Sequence, residues 1–205
     1  YRLGHDRIFD HMMLDGLEDA YEAGRSMGTF GEDCAAKYSF TREQQDAFAT
    51  ASVQRAKAAT ESGAFAAEIV PVTVKTREGE TVVSVDEGPG KVKLEKIATL
   101  KPAFKKDGTI TAASSSSIND GAAALVMMRE STAKKLGAKP LARIVSHATH
   151  AQEPEWFATA PLGATQKALA KAGWQVGDVQ LWEINEAFAV VPMALMKDCL
   201  LYTSD

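Results

Sequence analysis

Apolar and polar positions in the first part of the chain alternate at helical spacing. Apolar residues recur in this way over 6–25, and a short helix is expected at Glu32–Lys37. Thr41 stands three residues before Gln44 at the head of a long Ala-rich run, which predicts a capping box. The helix that follows is expected to end near Glu61, where glycine interrupts the pattern.

The pattern then changes to the two-residue period of strands. Residues 68–75 (EIVPVTVK) and 81–85 (TVVSV) each alternate in this way, and Gly79 marks a turn between them. The stretch 86–108 is rich in Lys, Gly and Pro, which predicts a loop with one short helix near Leu94–Thr99. This half of the chain is therefore expected to be mostly helical with peripheral strands.

From Ala112 onward the pattern predicts alternating strands and helices. The run AAALVMM at 122–128 lies between turn signals, which is typical of a strand buried on both faces. The elements predicted after it are a helix at 131–136, a strand at 141–149, a helix at 162–172, a strand at 180–184 and a helix at 187–196. This order indicates a layered α/β domain.

Composition and charge exclude several classes of protein. The chain has 205 residues, enough for one sizeable core or two small ones, and a net charge of −4 without a clustered basic face. No apolar run approaches the roughly 20 residues of a membrane span. We therefore expect neither nucleic acid nor membrane as a partner. Cys34 and Cys199 are far apart and lack metal-ligand spacing, so no metal site is expected and a reducing, cytoplasmic compartment fits best.

Asn185 is the polar residue with the clearest chemical potential. It follows the predicted strand 180–184, and sites in α/β sheets gather at the carboxyl ends of strands. An amide there could orient a water or a carbonyl oxygen. It could equally cap the last predicted helix through its side-chain oxygen. The spacing leaves both interpretations open.

Two other groups of residues have a functional and an ordinary interpretation. The serine run Ser114–Ser117 could bind an amide-bearing ligand such as a pantetheine arm, or be a loop. The lysines between 91 and 106 could bind phosphates, or form a solvated face. Structural or exposed roles are expected for Cys34 and for the four histidines, which are His5, His11, His147 and His150.

Eight segments, in order, carry a resemblance to a known family. They are SMGTFGED, REQQDAFATAS, EIVPVTVK, LKPAFKKDGTITA, SSINDGAAALVMM, PLARIVSHAT, KALAKAGW and WEINEAFAVV. Over 6–198 this set resembles the thiolases, enzymes that transfer acyl groups between coenzyme A thioesters.

The resemblance implies a fold and a division into domains. Thiolases have a layered αβαβα core with an inserted loop domain that covers CoA. The match makes 1–118 that mostly helical loop domain, 119–139 the closing strand and helix of the first half, and 140–198 the start of the second half. The last residues, 199–205 (CLLYTSD), interrupt an amphipathic helix, and we interpret them as a non-native tail translated from a sequencing adapter.

The resemblance also implies roles for particular residues. Asn185 would hold the water of an oxyanion hole, and Ser116 would hydrogen-bond pantetheine. The acyl site would be bordered by Phe157, Ala187 and Phe188. The positions expected to line the CoA tunnel are Leu17, Met27, Ala103, Phe104 and Ala112, and those near the nucleotide are Lys91 and Lys96.

The histidine of the family's GHP motif is not matched in these 205 residues, because no histidine here precedes a proline. The family's nucleophilic cysteine is not matched either, because neither Cys34 nor Cys199 stands in its sequence context. The chain by itself is therefore expected to be an inactive part of an enzyme. The CoA thioester is the substrate, so no cofactor is implied, and the complete enzyme is expected to be a homotetramer or homodimer.

Acyl preference is left open by four departures from the family pattern, one of which is ASSSS at 113–117 in place of a small-Asn-Ala-Ser pattern. Ser26 replaces a histidine, Phe157 a methionine and Val53 a tyrosine of a potassium site, so potassium dependence is not expected. The leading hypothesis is acetyl-CoA C-acetyltransferase. The alternatives are a longer-chain 3-ketoacyl-CoA thiolase of fatty-acid degradation and a non-catalytic acyl-CoA-binding relative.

Overall fold

The computed structural model describes residues 3–200, except for the side chain of Leu200, and these fall into two compact units. The first unit runs to Ser116 and includes Glu186–Val190. The second contains Ser117–Asn185 and the residues from Val191 onward. No helix in the described range is both long and apolar enough to cross a bilayer.

Two helices form the framework of the first unit. Helix α1 spans Met27–Tyr38 and helix α2 spans Arg42–Glu61. The predicted capping box is confirmed, since the Gln44 N–H donates to Thr41 Oγ1 at 3.2 Å and the Thr41 N–H donates to Gln44 Oε1 at 2.9 Å. Helix α1 is longer than predicted. Its first turns contain glycine, a poor helix former, and are stabilised by burial of that part of the helix.

The predicted hairpin is present with slightly shifted bounds. Strand β1 (Val72–Thr76) pairs antiparallel with strand β2 (Gly79–Val83), and Val72 lies opposite Val83. Gly79 has a φ of 132°, which the turn requires and which only glycine adopts readily. Within the described residues, β1 and β2 form a two-stranded sheet, and no other sheet is present there.

The lysine-rich loop is fixed to helix α2 by Arg42. Its guanidinium donates to the carbonyl oxygens of Ile97 at 3.1 Å and Leu100 at 2.9 Å. The loop contains a short helix α3 (Gly88–Lys91) and a 3₁₀ helix at Leu94–Thr99, where a short helix was predicted.

The helix predicted over 6–25 is wrong. The structure has one short helical segment there, at 11–17, in which Met13–Leu17 is a π-helical turn. An amphipathic helix is stabilised by burying its apolar face, and here Ile8 and Tyr21 remain exposed. An isolated bridge between Glu18 and Ser26 organises the end of the segment instead.

The two predicted inner helices of the second unit are confirmed as α4 (Glu130–Leu136) and α5 (Ala160–Ala172). The strands predicted at 122–128, 141–149 and 180–184 are not formed, and most of the large apolar side chains in these segments are exposed. A strand exists only when its backbone groups pair with another strand. These segments have no such partner among residues 3–200.

The last helix begins later than predicted, which removes the capping interpretation of Asn185. Helix α6 spans Val190–Leu195 and continues as a π turn at Met196–Leu200. An N-cap is the residue immediately before the helix, whereas Asn185 lies five positions before Val190. Of the predicted tail, residues 201–205 lie outside the described residues.

Candidate functional site

Two segments that are far apart in sequence meet in the first unit. An isolated antiparallel bridge joins Ser115 to Phe188. The Ser116 N–H donates to the Ala187 carbonyl at 2.9 Å, and the Ala189 N–H donates to the Ser114 carbonyl at 2.8 Å. The serine run and the residues after Asn185 therefore form one short two-stranded contact.

Ser116 is exposed, and its hydroxyl has one hydrogen-bond partner in the structure. Ser116 Oγ donates to the Glu186 carbonyl oxygen at 2.7 Å, across 70 residues of sequence. A serine hydroxyl carries one hydrogen and two acceptor lone pairs. With its hydrogen used in this way, Ser116 can accept a hydrogen bond from a ligand N–H but cannot donate one at the same time.

Glu186 is held from a second side by helix α2. Ser52 Oγ donates to Glu186 Oε2 at 2.7 Å. Both residues stand in segments that carry the resemblance, but their pairing was not predicted, because the two lie 134 residues apart. Together with Ser116, Ser52 fixes both the side chain and the backbone of the residue that follows Asn185.

The serine run is a built element rather than a plain loop. It begins with a short 3₁₀ helix, Ala112–Ser114, capped by the buried Thr111. The Thr111 N–H donates to Ser114 Oγ at 2.9 Å, and Ser115 Oγ donates to the Thr111 carbonyl at 2.7 Å. Ser114 and Ser115 thus bond to Thr111 within this element, whereas Ser116, which bonds to Glu186, is exposed.

An aromatic pair lies beside this contact. The rings of Phe104 and Phe188 meet edge to face, with centroids 5.7 Å apart and an interplanar angle of 85°. A Cβ placed on Gly28 would lie 2.1 Å from Phe104 Cγ, and one on Gly31 would lie 2.6 Å from Ile110 Cδ1. The spacing of these two glycines in α1 is the sequence signal that a bare helix face packs against these side chains.

The other positions expected to line the tunnel occupy the same unit. The bridge between Glu18 and Ser26 places Leu17 and Met27 on facing segments, and both are half-buried. Ala103 is exposed, and its N–H donates to the Ile110 carbonyl at 2.9 Å. Ala112 is exposed and Ala187 is half-buried.

Lys91 and Lys96 are both exposed. Lys91 Nζ lies 2.6 Å from Glu87 Oε2 in an exposed salt bridge. Such pairs contribute about 0–1 kcal/mol, so the ammonium group can exchange this partner for a phosphate at little cost.

Phe157 and Asn185 belong to the second unit. Phe157 is half-buried in a 3₁₀ helix at Pro154–Thr159. The Gln152 amide secures that helix by donating to the Trp156 carbonyl and, at 2.8 Å, to Thr159 Oγ1. Asn185 is exposed.

The structure describes both cysteines and all four histidines. Cys34 is fully buried in α1, as expected, and His147 is exposed. Burial raises the pKa of the Cys199 thiol, and the neighbouring Asp198 carboxylate raises it further, so thiolate formation is disfavoured there. Among the described residues, no group of three or more His, Cys, Asp or Glu side chains could hold a metal ion.

Comparison with known families identifies the fold. Residues 1–131 match the thiolase N-terminal domain, and residues 138–204 match the thiolase C-terminal domain. The chain belongs to the thiolase family. It is similar to the crystal structure of Bacillus anthracis acetyl-CoA acetyltransferase, with a TM-score of 0.90 and 44% identity over 96% of this chain and 50% of that one. The expected α/β thiolase-like fold, in partial form, is therefore confirmed.

Curated thiolase relatives are similar over the same range. The acetyl-CoA acetyltransferase of Paracoccus denitrificans is 48% identical over 198 residues, which is 96% of this chain and 50% of that protein. Acetyl-CoA acetyltransferase 2 of Arabidopsis thaliana is 49% identical over 199 residues, 96% of this chain and 49% of that protein. The chain thus spans about half the length of the curated thiolases it matches.

Proposed function

We propose that the longer polypeptide carrying this chain is an acetyl-CoA C-acetyltransferase. It joins two acetyl-CoA molecules into acetoacetyl-CoA, releases CoA, and runs the reaction in both directions. The observation that carries the proposal is the contact of Ser116 with Glu186 and Ala187, beside the Phe104–Phe188 pair. The names of the similar acetyl-CoA acetyltransferases support the same reaction.

Each side of the contact suits one part of the substrate. Ser116 accepts a hydrogen bond from a pantetheine amide, the one role left to its hydroxyl. Ala187 and Phe188 border the acyl group, and the resemblance assigns Phe157 to the acyl group as well. Leu17, Met27, Ala103, Phe104 and Ala112 line the tunnel, and the ammonium groups of Lys91 and Lys96 attract the nucleotide phosphates.

Asn185 supplies the oxyanion-stabilising water in this proposal. The acyl group passes through a thioester with a cysteine, and a histidine acts as base. Both come from parts of the polypeptide outside these 205 residues. The CoA thioester is the substrate, so the reaction uses neither a cofactor nor a metal ion. The complete enzyme is a cytoplasmic homotetramer or homodimer of fatty-acid metabolism, without nucleic-acid or membrane partners.

The test is thiolysis by the purified full-length protein. We expect CoA-dependent cleavage of acetoacetyl-CoA, followed by loss of its Mg²⁺-enolate absorbance, at a higher kcat/KM than cleavage of a 3-ketooctanoyl thioester. The 205-residue chain alone is the control and should show background rates. A reversed preference would replace the proposal by the longer-chain thiolase, and CoA binding without turnover would replace it by the binding relative.

Ser116→Ala in the full-length enzyme should act on substrate binding. A hydrogen bond to pantetheine is made alike in the ground and transition states, so its loss raises KM for CoA. The backbone hydrogen bonds of Ser114 and Ser116 still hold the residues after Asn185, so kcat should change little. One net hydrogen bond is about 0.5–1.5 kcal/mol, or roughly a 2- to 12-fold rise in KM. Ser117→Ala, next in the run, is the matched control and should leave KM unchanged. A large fall in kcat at constant KM would contradict the assigned role.

A further inference from the structure

Glu32 is a buried carboxylate in the middle of α1, with 7% of its surface exposed. Both of its oxygens lie 2.9 Å from the Thr109 nitrogen. The Ile110 N–H donates to Oε1 at 2.9 Å, and Thr109 Oγ1 donates to Oε2 at 3.0 Å. None of the ion pairs found in residues 3–200 includes Glu32, so its partners are amide and hydroxyl groups of one short segment.

The segment that Glu32 holds is a closed loop at 103–110. The Ala103 N–H donates to the Ile110 carbonyl at 2.9 Å, which closes the loop next to the carboxylate. A Cβ on Gly108 would lie 2.3 Å from Glu32 Oε1, so glycine is what permits the close approach. Gln45 Nε2 donates to Thr109 Oγ1 at 2.8 Å and orients that hydroxyl toward the carboxylate.

The same face of α1 seats the side chain that the loop carries. Gly28 precedes Glu32 by four residues, so the two positions lie one above the other on the helix. The Phe104 ring rests on the bare Gly28 backbone, where a Cβ would be 2.1 Å away. Phe104 then meets Phe188 edge to face.

The donor set calls for a carboxylate rather than an amide. A buried charge is costly unless its lone pairs are satisfied, and here both oxygens accept hydrogen bonds. Glutamine at this position would keep one oxygen to accept the Thr109 and Ile110 N–H groups, but its NH₂ group would stand where Oε2 accepts the Thr109 hydroxyl. We therefore expect glutamate to be favoured over glutamine at this position.

We propose that Glu32 is a positioning residue for the CoA tunnel. Glu32 holds the loop at 103–110 in the position in which Phe104 packs against Phe188. Its effect on the substrate is therefore indirect and passes through Phe104. This inference rests on the proposed function, in which Phe104 lines the tunnel and Phe188 borders the acyl group.

The test is a double-mutant cycle in the full-length enzyme with Glu32→Gln and Phe104→Ala. Loss of one charge-assisted hydrogen bond and mispairing of another should raise KM for CoA about tenfold in Glu32→Gln, with kcat little changed. In the Phe104→Ala background the same substitution should add less than about twofold. The exposed Glu61→Gln is the matched control and should change neither constant.

A purely structural role predicts a different outcome. Glu32→Gln would then lower the melting temperature with KM unchanged, or its effect on KM would multiply with that of Phe104→Ala, and either result overturns the proposal. If Glu32→Gln does not fold, Thr109→Val removes one donor to the carboxylate and should raise KM about two- to threefold by the same route. An unchanged KM in that variant overturns the proposal too. A wild-type enzyme that binds CoA without turnover defeats the proposed function alone, and the cycle is then measured on the Kd for CoA.

Discussion

Asn185→Asp in the full-length enzyme is expected to lower kcat for thiolysis about 10- to 100-fold. Removing a direct oxyanion donor typically costs about 10²–10³ in kcat. In the proposed function the amide acts through a water and a histidine supplies the other hydrogen bond, so we expect the loss to fall at or below the lower end. Aspartate also places a negative charge next to the oxygen on which negative charge develops.

The structure sharpens this experiment, because it removes the competing explanation. Asn185 lies five residues before helix α6, so capping of that helix does not account for a loss of activity. The melting temperature of Asn185→Asp should therefore match that of the wild type. Asn119, an exposed asparagine elsewhere in the chain, provides the control Asn119→Asp, which should leave kcat unchanged. A near-normal kcat in Asn185→Asp would refute the oxyanion role.

Local patterns predicted the helices that their own residues specify. The capping box of Thr41 and Gln44 is completed within one helical turn, and the helix behind it ends at Glu61 as expected. Helix α1 was underestimated, because Gly28 and Gly31 weaken the local helical signal. Those glycines are there for the ring of Phe104 and the side chain of Ile110, which lie more than 70 residues away in sequence.

Elements that depend on distant partners were predicted in part or not at all. The Glu32 carboxylate reaches Thr109 across 77 residues, and no spacing rule connects the two. The resemblance picked out Ser116 and Ala187 separately, but it did not predict the hydrogen bond by which Ser116 uses its only proton on Glu186. Backbone hydrogen bonds bring the serine run together with the residues after Asn185. A local sequence pattern does not specify such pairing between distant segments.

The segments predicted as strands in the second unit explain both a wrong prediction and a property of the chain. The apolar runs at 122–128, 141–149 and 180–184 have the sequence pattern of strands. A strand forms only when its backbone hydrogen-bonds to a neighbouring strand. Without neighbouring strands Leu125 is 85% exposed, Leu141 99% and Leu181 74%. Large exposed apolar surface is rare on soluble monomers, and AAALVMM is an uncharged apolar run that can promote aggregation.

Expressed alone, the 205-residue chain is therefore expected to self-associate at micromolar concentration. Size-exclusion chromatography with light scattering should show assemblies well above 22.0 kDa, and a dye for apolar surface should bind. Val126 is 89% exposed, so Val126→Lys breaks the run with a charge and should shift much of the protein toward monomer.

In the full-length protein the same substitution should have the opposite effect, and should reduce the amount of soluble protein. If 122–128 forms the strand that its sequence predicts, buried on both faces, Val126→Lys places an unpaired charge in the core at a cost of several kcal/mol. Total stability is about 5–15 kcal/mol, so most of the folded, soluble enzyme should be lost. Tyr21→Lys changes a side chain that is 81% exposed and outside these runs, and should have little effect in either context. Two results would contradict the view that these segments become strands in the full-length protein. One is a monomeric 205-residue chain with a cooperative melt, and the other is a full-length Val126→Lys enzyme of normal stability.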